Sequence, residues 1–317
     1  MRHEDGATFL CRPYTSEPGF TEDFERVRRF LLRINTPAVT TPGFLWARCE
    51  WAFSLPYQDE SALDRIRVWE DETGEIVALA TYEMEPGDAY LAFDPVRRSE
   101  LLGPVFDEAV TALAASDGRI GVIVPDAASD LQEVAFARGF RPSQDYEANS
   151  RLLTTDTGAT ADLSWSLPEG FRIAVTPPET DADWEAYALM FWRGFNHEAQ
   201  DGPMPVEREV AWKKLDCSGP HFDPGLKVSI LAPNGEYAAH CGMWHEPGTS
   251  YCLVEPVCTV PAYRRLGLAR AAVLEGVRRC AARGAEVAYV GSRQPLYYAI
   301  GFRPLPNDTW WERPTRA

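Results

Sequence analysis

The chain has 317 residues, 45% of them hydrophobic and 25% charged, which is enough for two globular domains of ordinary size. A formal net charge of −16 argues against a nucleic-acid partner, which needs a basic footprint to displace counterions from phosphate, and no apolar run approaches the ~18 residues of a membrane span. Seven cysteines, an odd number with no CxxC pair, predict free thiols and a cytoplasmic location, and the polar, acidic start Met1 to Leu10 lacks the form of a secretory signal.

Taken in order, Phe24, Val27 and Leu31 mark a first amphipathic helix. Arg65 to Trp69, Ile76 to Glu83 and Ala89 to Phe93 read as strands. Leu102, Val105, Phe106, Ala109, Val110 and Leu113 form one helical face, and Arg119 to Val124 reads as the strand after it. Thr154 to Ala161, rich in Thr, Gly, Asp and Ala, predicts a linker. Beyond it, Pro178-Glu179-Thr180-Asp181 supplies N-cap chemistry for a helix bearing Trp184, Tyr187, Ala188, Phe191, Trp192 and Phe195. Lys227 to Leu231, Tyr237 to His245 and Tyr251 to Val260, separated by Pro-Asn-Gly and Pro-Gly punctuation, predict an antiparallel meander. Ala269, Ala272, Val273, Gly276, Val277, Cys280 and Ala281 predict a long helix with Gly284 as its stop. Glu286 to Val290 predicts a strand, and Leu296 to Ile300 a short helix ended by Gly301.

The two halves repeat one another. Gly139-Phe140-Arg141-Pro142 recurs as Gly301-Phe302-Arg303-Pro304 at an offset of 162, and Gly74-Glu75 recurs as Gly235-Glu236 at 161. Pro95 and Gly118 find counterparts in Pro261 and Gly284, each 166 further on. Four matches in one order at a nearly constant offset predict tandem copies of one fold.

Between a predicted strand and the long helix stands Arg264-Arg265-Leu266-Gly267-Leu268-Ala269. A glycine there permits close approach of backbone to a ligand, and a helix N-terminus offers unpaired N–H groups and partial positive charge. Together these suit a pyrophosphate, with Arg264, Arg265 and Arg270 available for charge-assisted contacts.

With Tyr297 four residues before Gly301-Phe302, this motif resembles the pattern of the GNAT acyl-CoA N-acyltransferase superfamily, Q/R-x-x-G-x-G/A at the start of the third helix and a tyrosine before a C-terminal Gly-Phe. The resemblance covers about 150 residues and implies an α/β fold: two tandem GNAT domains, each a splayed mixed β-sheet flanked by helices. It divides the chain into a degenerate GNAT-like domain at 1–153, a linker at 154–166 and a catalytic domain at 167–317. It implies acetyl-CoA as acyl donor, lying in the splay between the fourth and fifth strands. Backbone of Cys258, Thr259 and Val260 would meet the pantetheine, and amides of Arg265, Leu266, Gly267, Leu268, Ala269 and Arg270 the pyrophosphate. The asparagine common between the fifth strand and last helix is replaced by Gly291-Ser292-Arg293-Gln294.

The first copy departs further. Val96-Arg97-Arg98-Ser99-Glu100-Leu101-Leu102 lacks the glycine and sets Glu100 against phosphate, and Ala135 stands where the tyrosine is expected. The layout is similar to that of mycothiol synthase-type and antibiotic-modifying tandem GNAT enzymes.

Tyr297 is the candidate general acid for the departing thiolate. Glu255 is the candidate base, or else an anchor for a cationic substrate; strand alternation groups it with Leu253, Val257 and Thr259. The family's base often lies nearer Leu253. His240, Cys241 and His245 do not share one face, so no metal is expected, and His245 and Trp244 are candidates for the acceptor pocket. Cys258 invites a covalent route, but no matched histidine is placed by sequence. His197 follows the first helix of this copy, where Phe195-Asn196-His197-Glu198 opens an irregular stretch through Pro205 whose loops would border the acceptor site. The expected reaction is transfer of an acyl group to a primary amine of a small molecule. A CoA-binding protein with lapsed activity and a protein-amine acetyltransferase are the alternatives. No nucleic-acid or membrane partner is expected, and no motif bears on oligomeric state.

Overall fold

The computed structural model describes residues 9–35, 44–154, 163–174 and 177–313. The greater part of the predicted linker, 155–162, lies outside the described residues. The chain forms two compact units, Met1–Asn149 with Leu305–Ala317, and Ser150–Pro304.

The first unit contains β1 (Leu10–Pro13), α1 (Glu22–Asn35), α2 (Trp46–Phe53), β2 (Arg67–Glu70), β3 (Ile76–Thr81), β4 (Asp88–Phe93), α3 (Arg98–Ala112), β5 (Gly121–Pro125), α4 (Ser129–Ala137) and β6 (Arg141–Glu147). The second contains β7 (Ser150–Leu153), β8 (Arg172–Ile173), α5 (Asp181–Gly194), α6 (His197–Gln200), α7 (Val206–Asp216), β9 (Lys227–Leu231), β10 (Tyr237–His245), β11 (Tyr251–Thr259), α8 (Leu268–Ala281), β12 (Val287–Val290), α9 (Pro295–Ala299) and β13 (Arg303–Pro304). The last strand, β14 (Asp308–Glu312), belongs to the first unit.

Each unit has a seven-stranded mixed sheet, ordered β1-β2-β3-β4-β5-β14-β6 in the first and β13-β7-β12-β11-β10-β9-β8 in the second. The division drawn from the sequence therefore differs from the structural one at both ends. β7 pairs antiparallel with β12, so 150–153 sits in the second unit, while β14 lies between β5 and β6, so the C-terminal strand completes the first.

Local chemistry accounts for the elements of the second unit. Thr180 caps α5 by accepting from the Asp183 amide at 3.2 Å, with Asp181 and Asp183 in the first turn. Gly235, at φ 88°, makes the turn between β9 and β10. One face of α8 is buried on the sheet, and Gly276 lets it come close: a Cβ there would stand 2.6 Å from Met243 Cγ. The resulting core holds Val228, Ile230, Cys241, Val254, Val273 and Phe302.

The repeat found in the sequence is a repeat of backbone turns. The Gly74 amide donates to Asp71 and the Gly235 amide to Ala232. Gly118 donates to Ala115 and Gly284 to Ala281.

The sheet opens where the parallel pair ends. β11 pairs with β12 only through Tyr251, Cys252 and Leu253, yet runs on to Thr259. The free edge beyond Leu253 faces a splay. The first unit shows the same feature, with β4 pairing β5 only at Asp88 and Ala89.

Candidate active site

A cleft of about 830 Å³ occupies the splay of the second unit. Its walls come from three places: Val257, Cys258 and Thr259 of β11, the loop from Tyr263 to Arg270 into α8, and Gln294 to Ala299 of α9. A fourth contribution is the corner Gly194, Phe195 and Asn196 at the end of α5.

The loop is shaped by two left-handed residues, Arg265 at φ 68° and Gly267 at φ 79°. Gly267 is the N-cap of α8, and the first bond closing the helix runs from the Ala271 amide to the Gly267 carbonyl at 3.0 Å. The amides of Leu268, Ala269 and Arg270 are thus orphan donors at a positive helix end. Left-handed residues alternating with ordinary ones turn successive N–H groups the same way, which suits an anion. A Cβ on Gly267 would meet no protein atom within 4 Å, so its glycine answers to backbone conformation and to space in the cleft. Arg265 and Arg270 line the cleft, and their side chains have no hydrogen-bond partner among the described residues.

Arg264 is engaged otherwise. Its Nε donates to the Thr259 carbonyl at 3.1 Å, and its Nη2 donates to the Gly194 carbonyl at 3.1 Å and to Asn196 Oδ1 at 2.8 Å. Val260 lies off the cleft: it packs in a cluster with Tyr187 and Phe191, and its amide donates to the Ala238 carbonyl at 2.9 Å. Leu266 is exposed and lines a neighbouring hollow with Ser164, Trp165 and Arg270.

Tyr297 is 5% exposed, packs edge-on against Phe302, and lines the cleft. Burial above all, and then the charges of Cys241 and Glu255, hold its hydroxyl well above the ordinary tyrosine range. It stays protonated at neutral pH.

The single face that alternation predicts for Leu253, Glu255, Val257 and Thr259 is interrupted at Glu255. Met243 pairs with Val254 and Cys241 with Val257, so Glu255 and Pro256 together oppose Gly242 in a β-bulge. The bulge reverses alternation: Cys252 and Val254 join the core beneath α8, and so does Val257, three residues on from Val254. The bulge is held from β10. The Trp244 indole donates to the Glu255 carbonyl at 3.1 Å, and a Cβ at Gly242 would lie 2.3 Å from that oxygen. Glu255 is not part of the cleft lining, but its charge reaches the Tyr297 hydroxyl.

The remaining candidates separate. His245 is buried, with Nδ1 2.9 Å from the Tyr251 carbonyl and Nε2 3.3 Å from that of Arg283, so it does not line the cleft. His240 is buried against Ser229 Oγ at 2.9 Å, and burial holds its pKa well below the usual histidine value. Burial pushes the Cys258 thiol up to about 12, which removes the thiolate a covalent route needs. His197 packs at a tilt against the Trp192 ring and lies 2.9 Å from Asp201. Phe195 and Asn196, expected to border the acceptor site, line the cleft together with Gly194, which the sequence does not mark; the packing of α5 on β11 brings them there, and a Cβ on Gly194 would sit 2.8 Å from Cys258 Cβ.

The corresponding loop of the first unit carries its own anion. Asp94 is buried, accepts from the Val96 amide at 2.9 Å, and pairs with Arg33 at 2.5 Å. Arg98 is paired with Asp130.

Residues 184–302 match the sequence model described as "Acetyltransferase (GNAT) family". No curated protein matches the sequence. Among solved structures the chain is similar to a tandem GNAT protein from the clavulanic acid biosynthesis pathway, at 14% identity and TM-score 0.60, over 98% of this chain and 100% of that one. It is also similar to a GCN5-related N-acetyltransferase from Sphaerobacter thermophilus, at 17% identity and TM-score 0.55, over 99% and 98% of the two chains. A further likeness is to the N-myristoyltransferase of Saccharomyces cerevisiae, at 12% identity and TM-score 0.52, over 96% and 78%. The family match falls on the half whose cleft holds the left-handed loop and the buried tyrosine, and one of the whole-chain likenesses is to a tandem GNAT protein: the chain has a tandem GNAT fold, and its residues 184–302 belong to the GNAT acetyltransferase family.

Proposed function

We propose that the second unit, in a cytoplasmic protein, transfers an acetyl group from acetyl-CoA to the primary amine of a small-molecule acceptor. The observation that carries this reading is that one cleft holds both the left-handed loop at Arg265 and Gly267 and the protonated hydroxyl of Tyr297.

Acetyl-CoA supplies an activated acyl carbon as a thioester. The cleft of about 830 Å³, the orphan amides of α8, and Arg265 and Arg270, which have no side-chain hydrogen bond among the described residues, fit its length and its phosphate charge. Backbone of Val257 and Cys258 and the amide of Thr259, along the stretch of β11 that β12 leaves unpaired, suit the amides of the pantetheine arm.

In the transfer a C–N bond forms, a C–S bond breaks, and one proton passes from nitrogen to sulfur overall. Tyr297 gives its proton to the departing sulfur, a role that its burial favours by keeping the phenol neutral. Glu255 accepts the proton that the amine must lose before it can attack. Glu255 releases that proton to solvent, and the second proton, which the nitrogen loses as the amide forms, passes through solvent to the Tyr297 phenolate left behind. No metal is needed for this chemistry, and the high-pKa thiol of Cys258 favours direct transfer.

A coenzyme-release assay across polyamines, amino sugars, aminoglycosides, amino acids and cysteinyl thiols, with mass detection of product, tests the proposal. An acetylated amine is expected. Tight acetyl-CoA binding without turnover on any of them would return the second unit to a binding role.

A further inference from the structure

We propose that Arg264, the first residue of the R-x-x-G-x-A motif, is a positioning residue: it clamps the cleft-wall corner Gly194–Asn196 to the end of β11 and is not a phosphate ligand. The functional meaning of this clamp rests on the reading above, that the cleft takes an acyl-CoA and an acceptor.

Arg264 has five N–H donors in a rigid fork. The single Nε proton and both Nη2 protons are committed, to the Thr259 carbonyl, the Gly194 carbonyl and Asn196 Oδ1 at 3.1, 3.1 and 2.8 Å. Two of the three acceptors are backbone carbonyls from different elements, so the fork joins α5 to β11. The Gly194 carbonyl closes α5, where orphan carbonyls and the negative helix end favour a cation.

The corner needs such a clamp. Gly194 approaches β11 so closely that a Cβ would stand 2.8 Å from Cys258 Cβ and 2.9 Å from its Sγ. Two residues on, Asn196 adopts φ 67°, a left-handed conformation that asparagine tolerates at some cost. The same Asn196 is the partner of Arg264 and starts α6. Between them, Phe195 lies 43% exposed at the cleft. Releasing Arg264 would free the turn that presents Phe195 and leads to His197.

Phosphate has other cations at hand. Arg265 and Arg270 line the same cleft and carry no side-chain hydrogen bond among the described residues, so neither must break a contact to reach an anion.

Charge and geometry are separable by substitution. In the full chain, amide hydrogen exchange at 194–202 is measured without ligand, and the Kd of acetyl-CoA is measured by calorimetry over a range of salt concentrations. For Arg264→Ala and Arg264→Lys alike, exchange at 194–202 should quicken about tenfold, the scale of a lost hydrogen bond, because lysine lacks the fork. The acetyl-CoA Kd should stay within about threefold of wild type with the same salt dependence, since no phosphate contact is lost. Asn196→Gly, which suits a positive φ, should quicken exchange over the same segment even where an Arg264 variant folds poorly. The assignment is overturned if Arg264→Ala weakens acetyl-CoA about tenfold or more with a shallower salt dependence, Arg264→Lys restores it, and exchange at 194–202 is unchanged. If wild type binds no acetyl-CoA, the functional reading fails, while the exchange comparison still decides whether Arg264 holds the corner.

Discussion

The main-chain amide of Phe302 donates to the carbonyl of Tyr297 at 3.0 Å. In the first unit the amide of Phe140 donates to the carbonyl of Ala135, also at 3.0 Å. Gly301 and Gly139, both at positive φ, precede these phenylalanines, and both phenylalanine side chains are fully buried. The two turns are one device used twice, and it puts Ala135 at the position of Tyr297. The first unit keeps the scaffold of the site without its hydroxyl.

That difference predicts one acetyl-CoA per chain. Asp94 already supplies a carboxylate to the loop of the first unit, while the loop of the second holds orphan amides. Calorimetry should give a stoichiometry near one, and a value near two would sink the idea. Gly267→Glu should abolish binding, since it forces a side chain into positive φ and points negative charge into the proposed phosphate site.

Tyr297→Phe should lower kcat by roughly 10²–10⁴-fold, the usual cost of losing a general acid. Its acetyl-CoA Kd should change little, because the ring and its packing on Phe302 remain. An unchanged rate with chemistry limiting would remove Tyr297 from the reaction.

Glu255→Gln separates a base from an anchor. An alkylamine is mostly protonated at neutral pH, its reference pKa being about 10.4. If Glu255 takes that proton, kcat should fall at neutral pH and recover at high pH, where solvent has already done the work. If Glu255 anchors a cation, KM should rise with kcat nearly unchanged. Separate kcat and KM profiles over pH distinguish the two, and no effect on either would make Glu255 structural.

Gly242→Ala should destabilise the second unit by roughly 1–3 kcal/mol, the usual cost of overpacking. The added methyl would have to displace the Glu255 carbonyl, 2.3 Å away. A melting temperature equal to wild type would show that the bulge yields easily.

Asp308 should make the first unit less stable as pH rises. It is 1% exposed on β14, accepts from Asn149 Nδ2 at 2.8 Å, and is raised by burial to about 6. Its unfolded value is about 3.9, so the unfolded chain loses the proton first. The stabilising contribution of the protonated form is complete below the unfolded value and is lost as pH rises through about 6. A shift of that size is worth about 3 kcal/mol. Asp308→Asn keeps an acceptor for Asn149 without the charge, so it should raise the melting temperature at pH 8 and change it little near pH 4. No gain at pH 8 would remove Asp308 from the pH dependence.

Much of the second unit was legible because its signals are local. β9 and β10 run over the residues predicted, and α8 begins one residue before its predicted apolar face, because alternation, helical period and turn chemistry are properties of neighbouring residues. The loop and Tyr297 were legible for the same reason, since a short motif is read from contiguous sequence. Glu255 was not: reversal of its alternation depends on which residues of β10 stand opposite, and that register is set by Gly242 and Trp244.

The sequence by itself determined the tandem repeat, the glycine-containing loop at the head of α8, and the tyrosine before the last Gly-Phe. Only the tertiary structure decided where the chain changes sheets, what Arg264 binds, and which residues wall the cleft. Trp310 of β14 shows the reason. Its indole donates to Asp88 Oδ1 at 2.9 Å, and it packs over Gly121, where a Cβ would lie 2.7 Å from Trp310 Cδ1. These partners are remote in sequence. A short strand such as Asp308–Glu312 offers hydrogen-bonding edges to any sheet, and the choice is made by side chains that meet only once the chain has folded.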